Sequence, residues 1–250
     1  MDKTIATPAE AVAGIGDGAS VMIGGFGGSG APIELIHALI DRFLATGSPK
    51  NLTLINNNAG NGHVGLAALI EQGMVKKLIC SFPRSADPRV FTEKYQAGEI
   101  ALELVPQGTL AERIRAGGAG IPAFYTPTGF GTLLAEGKAI ETFEGRSYVR
   151  ERWLKADVAL IKADVADPYG NLTYRMAARN FNPLMAMAAG TTIVQARRIV
   201  PAGGIDPETV ITPGIFVQRV VEVPNPAQEE VLNREGARYP VTTAPEGALA

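Results

Sequence analysis

Val21-Met-Ile-Gly24-Gly-Phe-Gly-Gly-Ser-Gly30-Ala-Pro32 is the stretch whose reading sets the fold. Ser20–Ile23 reads as a buried strand. Five glycines follow within the seven positions Gly24–Gly30, and a helix starts near Pro32. In that helix Ile36, Leu39, Ile40 and Phe43 follow the i, i+3, i+4, i+7 rule, and Gly47 is placed to stop it. A strand-to-helix turn stripped of side chains exposes backbone N–H groups beside the positive end of a helix dipole. That geometry predicts a seat for phosphate or pyrophosphate. The plainer alternative is a tight turn and nothing more.

The same unit recurs outward from this stretch. Thr7, Pro8 and Glu10 form the start signal of a short helix carrying Val12 and Ile15 and ended by Gly16 and Gly18. Downstream, strands are expected at Leu52–Ile55, Val75–Ser81 and Leu102–Val105. They alternate with helices at Val64–Glu71, Pro88–Gln96 and Thr109–Arg115, the last closed by Gly117–Gly118. This alternation predicts an α/β fold: an open, mostly parallel sheet with helices on both faces. It fades after Pro122, then resumes with a strand at Asp157–Ala163, a turn at Pro168–Asn171, a helix at Pro183–Ala189 and a strand at Thr191–Ala196. One domain is expected over 1–222. The tail 223–250 holds four prolines and four glutamates and is expected to be a loosely ordered arm.

Composition narrows the function. The 250 residues are 46% hydrophobic and 19% charged, ample for a core. A net charge of −2 gives no support to nucleic-acid binding. The lone Cys80 excludes an internal disulfide, and with His37 and His63 on separate segments no metal site is expected. The charge-poor stretches Asn51–Ile70 and Asn180–Ala196 are broken by Asn, Gly, Thr or Gln, so no membrane span and a cytoplasmic location are expected.

Gly25-x-Gly27-x-x-Gly30 also spells a dinucleotide fingerprint, which makes a nicotinamide-dependent oxidoreductase the second reading. The fingerprint calls for an acidic residue about twenty positions on. Here the second strand ends Ile55-Asn56-Asn57-Asn58 instead. Ligands of such sheets collect beyond the carboxyl ends of strands. Those ends carry the glycine run, Asn57-Asn58-Ala59-Gly60 and Val105-Pro106-Gln107-Gly108. Asn57, Asn58 and Gln107 are neutral donors suited to a carbonyl or a developing oxyanion. Asn56 is expected only to bond loop backbone. Cys80 reads as a buried structural thiol and His37 as a helix filler, while His63 lies near the cleft without an evident carboxylate partner. Donors and a phosphate seat without an attacking group imply a second chain. A sensor of small phosphorylated effectors is the third reading, set aside because no reader segment is visible.

Several collinear blocks resemble the A (α) subunits of family I CoA-transferases. They are Gly24–Pro32, Asn57-Asn58-Ala59-Gly60, Pro106-Gln107-Gly108-Thr-Leu-Ala-Glu-Arg-Ile-Arg115, Ala123-Phe-Tyr-Thr-Pro-Thr-Gly129, Gly170-Asn-Leu-Thr-Tyr-Arg175, Ala178-Arg-Asn-Phe181 and Thr212-Pro-Gly-Ile-Phe-Val217. The resemblance implies the CoA-transferase fold, with coenzyme A or acyl-CoA as substrate and no permanently bound cofactor. It implies succinyl-CoA as donor and a 3-oxo acid as acceptor, 3-oxoadipate first and acetoacetate as the alternative. It also implies a partner B (β) subunit whose glutamate, in a Glu-Asn-Gly or similar motif, becomes acylated. This sequence has Glu136-Gly137, Glu144-Gly145 and Glu235-Gly236 but no Glu-Asn-Gly. By resemblance Gly24, Gly25, Phe26, Gly27, Gly28, Ser29 and Gly30 bind CoA, and Asn57, Asn58 and Gln107 line the active site. Arg113, Arg115, Arg175 and Arg179 are the candidates for a distal carboxylate. The departures from the family pattern are the tail after Pro224, Gln195 and Arg197–Arg198, none expected to touch the site.

Overall fold

Val21, Met22 and Ile23 point alternately into two separate apolar layers, as a strand covered on both faces must. The computed structural model describes residues 1–227 and 236–240. Its first half alternates β1 (Thr4–Ile5), α1 (Pro8–Val12), β2 (Ser20–Ile23), α2 (Ile33–Thr46), β3 (Leu52–Ile55), α3 (Leu66–Glu71), β4 (Val75–Cys80), α4 (Arg89–Gln96), β5 (Ala101–Leu104) and α5 (Gln107–Ala119). The second half runs β6 (Ala123–Thr126), β7 (Ile140–Phe143), β8 (Arg146–Arg152), β9 (Ala156–Ala166), β10 (Leu172–Thr173), α6 (Asn182–Ala188), β11 (Ala189–Ile199) and β12 (Arg219–Glu222). The main sheet has the order β1-β12-β11-β9-β2-β3-β4-β5, parallel throughout, with β10 antiparallel to β9.

Strands β2 to β5 step across the sheet in one direction. Right-handed crossovers therefore place α2, α3 and α4 on one face. Their residues Leu35, Leu39, Leu69 and Phe91, with Val12 of α1, pack on Val21, Ile23, Leu54 and Leu78. Helices α5 and α6 cover the other face, where Leu110, Ile114 and Met185 meet Met22, Ile55, Ile79 and Ile161. The expected open parallel sheet with helices on both faces is the observed one. The Thr7 hydroxyl caps α1 by accepting from the Glu10 N–H at 3.2 Å, and Gly47 ends α2 with a φ of +74°.

Two features depart from expectation. Helix α5 does not close at Gly117–Gly118 but runs to Ala119, with Gly120 as its left-handed cap. Those two glycines serve packing instead. A Cβ on Gly117 would lie 2.3 Å from the Leu154 carbonyl oxygen, and one on Gly118 would lie 2.6 Å from the Met187 Cβ. The stretch in which alternation fades holds a separate antiparallel sheet of order β6-β8-β7. Its hairpin turns through Glu144 and Gly145, both at positive φ, the geometry that suits strand twist.

Among the described residues no helix is long and apolar enough to cross a membrane, and no three His, Cys, Asp or Glu side chains group as metal ligands. Of the expected loose arm 223–250, residues 228–235 and 241–250 lie outside the described residues. Residues 236–240 lie against the body, the Tyr239 ring stacking on His37 at 3.7 Å between centroids.

Gly117→Ala tests the close approach of α5 to the β8–β9 connection. The added methyl should destabilise the chain by about 1–3 kcal/mol, read as a lower urea midpoint with unchanged slope. An unchanged midpoint would mean that the contact yields freely.

Candidate functional site

The glycine run closes into a two-residue hairpin. Phe26 and Ser29 exchange both backbone hydrogen bonds, at 2.9 and 3.0 Å. Gly27 and Gly28 between them have φ values of +57° and +87°, the primed turn that glycine makes at least cost. At the start of α2, where the phosphate seat is expected, two backbone donors are engaged within the chain: the Ile33 N–H by the Ala31 carbonyl at 3.1 Å and the Glu34 N–H by a side chain. Pro32 has no N–H, and the Glu34 N–H donates to the side-chain oxygen of Gln195 at 3.2 Å. The Gln195 amide donates in return to the Glu34 carboxylate at 2.7 Å, with both side chains buried. The carboxylate and the amide together occupy the positive end of the helix. Gln195, expected to lie clear of the site, therefore sits directly behind it. What the loop presents to solvent is the turn Phe26–Ser29.

Behind this turn lies Asn182, fully buried at the start of α6. Its Nδ2 donates to the carbonyls of Gly30 at 3.1 Å and Ala178 at 2.8 Å, and its Oδ1 accepts from the Lys162 N–H at 3.1 Å. A Cβ on Gly24 would come within 1.8 Å of that Oδ1, and a Cβ on Gly30 within 2.5 Å of the Ala178 carbonyl oxygen. Gly24 and Gly30 are thus required by close approach. Asn180 adds a second clamp, its Nδ2 donating to the Ser29 carbonyl at 2.9 Å.

The amide cluster forms at the carboxyl ends of the neighbouring strands β3, β4 and β5. Asn56 does what was expected of it. Its Nδ2 donates to the Ile23 carbonyl at 2.6 Å and its Oδ1 accepts from the Asn58 N–H at 2.9 Å. Because Ile23 directly precedes the glycine run, Asn56 also stitches that run to the amide cluster. Asn57 is buried, and its Nδ2 reaches the Gln107 Oε1 at 3.5 Å. Asn58 donates to the Asn57 Oδ1 at 2.7 Å and accepts from the Gly60 N–H at 2.7 Å. The Ser81 hydroxyl lies 2.9 Å from the Asn57 carbonyl and 3.1 Å from the Gln107 Oε1. Asn57, Asn58 and Gln107 are brought together as the sequence suggested. Ser81 was missed because it reads as the last residue of an apolar strand; its place between two amide-bearing strand ends is the signal that could have found it. With Oε1 held as acceptor, the exposed Gln107 keeps its Nε2 hydrogens unengaged among the described residues. They form a neutral donor on an exposed side chain.

The other candidates sort by their partners. Cys80 is buried on the α2–α4 face, and desolvation pushes its thiol up to about 12, so it is inert as a nucleophile. His63 does have a carboxylate partner, its Nδ1 lying 3.0 Å from the Glu71 carboxylate at the far end of α3. The buried His37 accepts the Gly65 N–H on Nε2 at 3.0 Å. Arg113 is committed to the Glu103 carboxylate at 2.9 Å and to the Arg152 carbonyl at 2.9 Å. Arg115 is committed to Glu112 in a bidentate pair at 2.7 and 2.8 Å. Arg175 and Arg179 flank the clamp behind the glycine turn, exposed and with no side-chain hydrogen bond or ion pair among the described residues. Arg84, three residues beyond Ser81, is in the same condition.

The sequence profile described as Coenzyme A transferase matches residues 5–223. The A subunit of the 3-oxoadipate CoA-transferase of Pseudomonas putida is 58% identical over 231 residues, covering 92% of this chain and 98% of that one. Its namesake from Acinetobacter baylyi is also 58% identical, covering 89% and 96%. The A subunit of the succinyl-CoA:3-ketoacid coenzyme A transferase of Xanthomonas campestris is 49% identical, covering 88% of each chain. An Escherichia coli acyl-CoA transferase solved as a thioester complex with CoA superposes with a TM-score of 0.79 at 25% identity, over 91% of this chain and 48% of its own. The fold is shared as well with glutaconate coenzyme A-transferase of Acidaminococcus fermentans, with a TM-score of 0.76 at 21% identity, over 88% of this chain and 75% of that one.

Asn182→Ala strands two carbonyls and one N–H in the interior. A loss of about 2–4 kcal/mol is expected, measured by urea unfolding, and a loss under ~1 kcal/mol would deny Asn182 its anchoring role. Glu103 provides a pH test. Burial raises its carboxyl, but hydrogen bonds and charge from Lys77 and Arg113 outweigh burial and leave it below the usual 4.5. A depressed carboxylate stabilises the fold above its unfolded value and loses that contribution as pH falls through the folded one. The stability gap between the parent chain and Glu103→Gln should be full at neutral pH and shrink as pH drops below 4.5. A gap constant with pH would contradict the pairing.

Proposed function

The chain belongs to the coenzyme A transferase family, and from that premise we propose that it is the A subunit of a two-subunit enzyme that moves CoA from succinyl-CoA to 3-oxoadipate. The products are 3-oxoadipyl-CoA and succinate. The observation that carries the reading is a cluster of neutral donors without an attacking group. The hydrogen bonds of Asn57, Asn58, Ser81 and Gln107 run to amides, a hydroxyl and backbone among the described residues. The two relatives named for 3-oxoadipate, each 58% identical, supply the acceptor.

The partner B subunit supplies a glutamate carboxylate that attacks the thioester carbonyl carbon of succinyl-CoA. A C–O bond forms, the C–S bond breaks, and CoA leaves as thiolate. The thiolate attacks the glutamyl carbonyl of the resulting anhydride, forming a glutamyl-CoA thioester and releasing succinate. The carboxylate of 3-oxoadipate then attacks that thioester, expelling CoA thiolate and forming the second anhydride. Attack of the thiolate on the 3-oxoadipyl carbonyl gives 3-oxoadipyl-CoA and restores the glutamate. Each step places negative charge on a carbonyl oxygen. Gln107 Nε2, held by Asn57 and Ser81, donates to that oxygen without competing for its protons. The turn Gly24–Gly30 carries the CoA contact through Phe26–Ser29, and Asn58 sets the orientation of Asn57. CoA enters and leaves as substrate, no permanently bound cofactor takes part, and the reaction belongs to the cytoplasm. The nicotinamide reading is disfavoured, since the fingerprint glycines form a closed hairpin and Gln195 fills the helix end that would seat a pyrophosphate. The 49% identical relative named for a 3-ketoacid keeps acetoacetate as the competing acceptor.

Alone, the chain should exchange no CoA; with the glutamate-bearing partner it should, with kcat/KM higher for 3-oxoadipate than for acetoacetate. Gln107→Ala in the pair should lower kcat by about 100-fold while KM for succinyl-CoA stays within about threefold. A pair inert toward every acyl-CoA and short acid, or a Gln107→Ala pair with full kcat, would refute the proposal.

A further inference from the structure

The amides Asn57 and Asn58 ride on a loop, residues 56–65, whose outer half is held from outside the sheet. Its inner half is anchored by Asn56 and by the Asn58–Gly60 bond. Gly60, at φ +83°, lies so close to α3 that a Cβ would come within 2.4 Å of the Ala67 nitrogen. Further out, the Gly62 N–H donates to the Asp87 carbonyl at 3.0 Å, and Asn61 Oδ1 accepts from the Asp87 N–H at 2.8 Å. The last turn depends on two other parts of the chain. Gly65, at φ +55° and ψ −125°, is held by its N–H bond to His37 Nε2 on α2. The His63 carbonyl accepts the Tyr239 N–H at 2.9 Å.

Tyr239 and Arg238 close this arrangement from the far end of the sequence. The Tyr239 ring stacks on His37 with 6° between planes, and its hydroxyl donates to Asp41 on the same helix. Arg238 pairs with Glu71 and comes within 3.4 Å of His63 Nε2, so the imidazole of His63 lies between a carboxylate and a guanidinium. The side-chain contacts of Arg238 and Tyr239 thus fall on α2, on α3 and on the loop.

We propose that Tyr239 and His37 are positioning residues, and that residues 236–240 form a strap holding the 56–65 loop in the register that Asn57 needs to orient Gln107. The proposal rests on the functional reading given above for those amides. The 3.5 Å Asn57–Gln107 bond is the longest in the cluster, so a small shift of the loop breaks it first. Gln107 Oε1 would then lose the Asn57 amide and keep only the Ser81 hydroxyl, whose single hydrogen is shared with the Asn57 carbonyl, and the Gln107 Nε2 would no longer meet the reacting oxygen. Misplacement of this size costs turnover rather than substrate binding.

The test compares the full-length parent, Tyr239→Ala and Tyr239→Phe. In hydrogen exchange on the chain itself, Tyr239→Ala should speed the amides of 57–65 by tenfold or more and leave those of β3 and β4 unchanged. Assayed with the partner subunit, the same variant should lose about tenfold in kcat with KM for succinyl-CoA within about twofold. Tyr239→Phe, which keeps the stack, should restore kcat to within about twofold of the parent. If Tyr239→Ala destabilises the whole chain, Arg238→Ala takes its place in both measurements with the same expected signs. Unchanged exchange across 57–65, or full kcat in Tyr239→Ala, would overturn the proposal. A parent pair that transfers no CoA would defeat the functional reading instead, and the exchange data would still decide whether the strap holds the loop.

Discussion

One buried side-chain amide, that of Asn182, decides where the glycine turn sits. Its three hydrogen bonds join the end of the turn at Gly30, the short helical segment at Ala178 and strand β9 at Lys162. A primary amide is the group that offers two donors and an acceptor in one plane without charge. In the interior, all three partners would be costly to leave unmade. The amide also excludes side chains at Gly24 and Gly30. Glycine at position 24 is a consequence of where Asn182 packs, glycine at position 30 answers both to that packing and to a φ of +75°, and Gly27 and Gly28 owe their identity to the turn itself.

Neutral amides recur through the site for the same reason. Asn56 ties the glycine run to the amide cluster, Asn57 and Ser81 orient Gln107, and Gln195 closes the start of α2. None of these groups titrates. A surface of this kind holds a developing negative charge without protonating it, and leaves nucleophilic work to a group from elsewhere. The potential nucleophile nearest in sequence, Cys80, is removed from play by burial, which keeps it a thiol.

Much of the fold was legible in the residues because each strand of the first half is a short apolar run bounded by turn residues, with a periodic helix between. The small sheet β6-β8-β7 was not, because β7 is exposed along its whole length and β8 mixes arginines with apolar residues. Partial burial erases the alternation that reveals a strand, and only Glu144-Gly145 remained as a hairpin signal. The glycines in α5 misled for a related reason: a helix stop and a helix contact call for the same residue, and only the positions of Leu154 and Met187 distinguish them. That Asn57, Asn58 and Gln107 lie together was legible because all three stand at the carboxyl ends of neighbouring parallel strands. The closure of the helix start by Gln195 was not, since Gln195 lies 161 positions from its partner Glu34. The same distance problem hid the contacts of Tyr239.

The division of labour between two chains is open to a direct measurement. The purified pair, incubated with succinyl-CoA and no acceptor and then resolved by intact-mass spectrometry, should carry a CoA-sized adduct on the partner subunit, with this chain at its unmodified mass. An adduct on this chain, with the partner unmodified, would contradict the assignment of the neutral site to one polypeptide and the attacking carboxylate to the other.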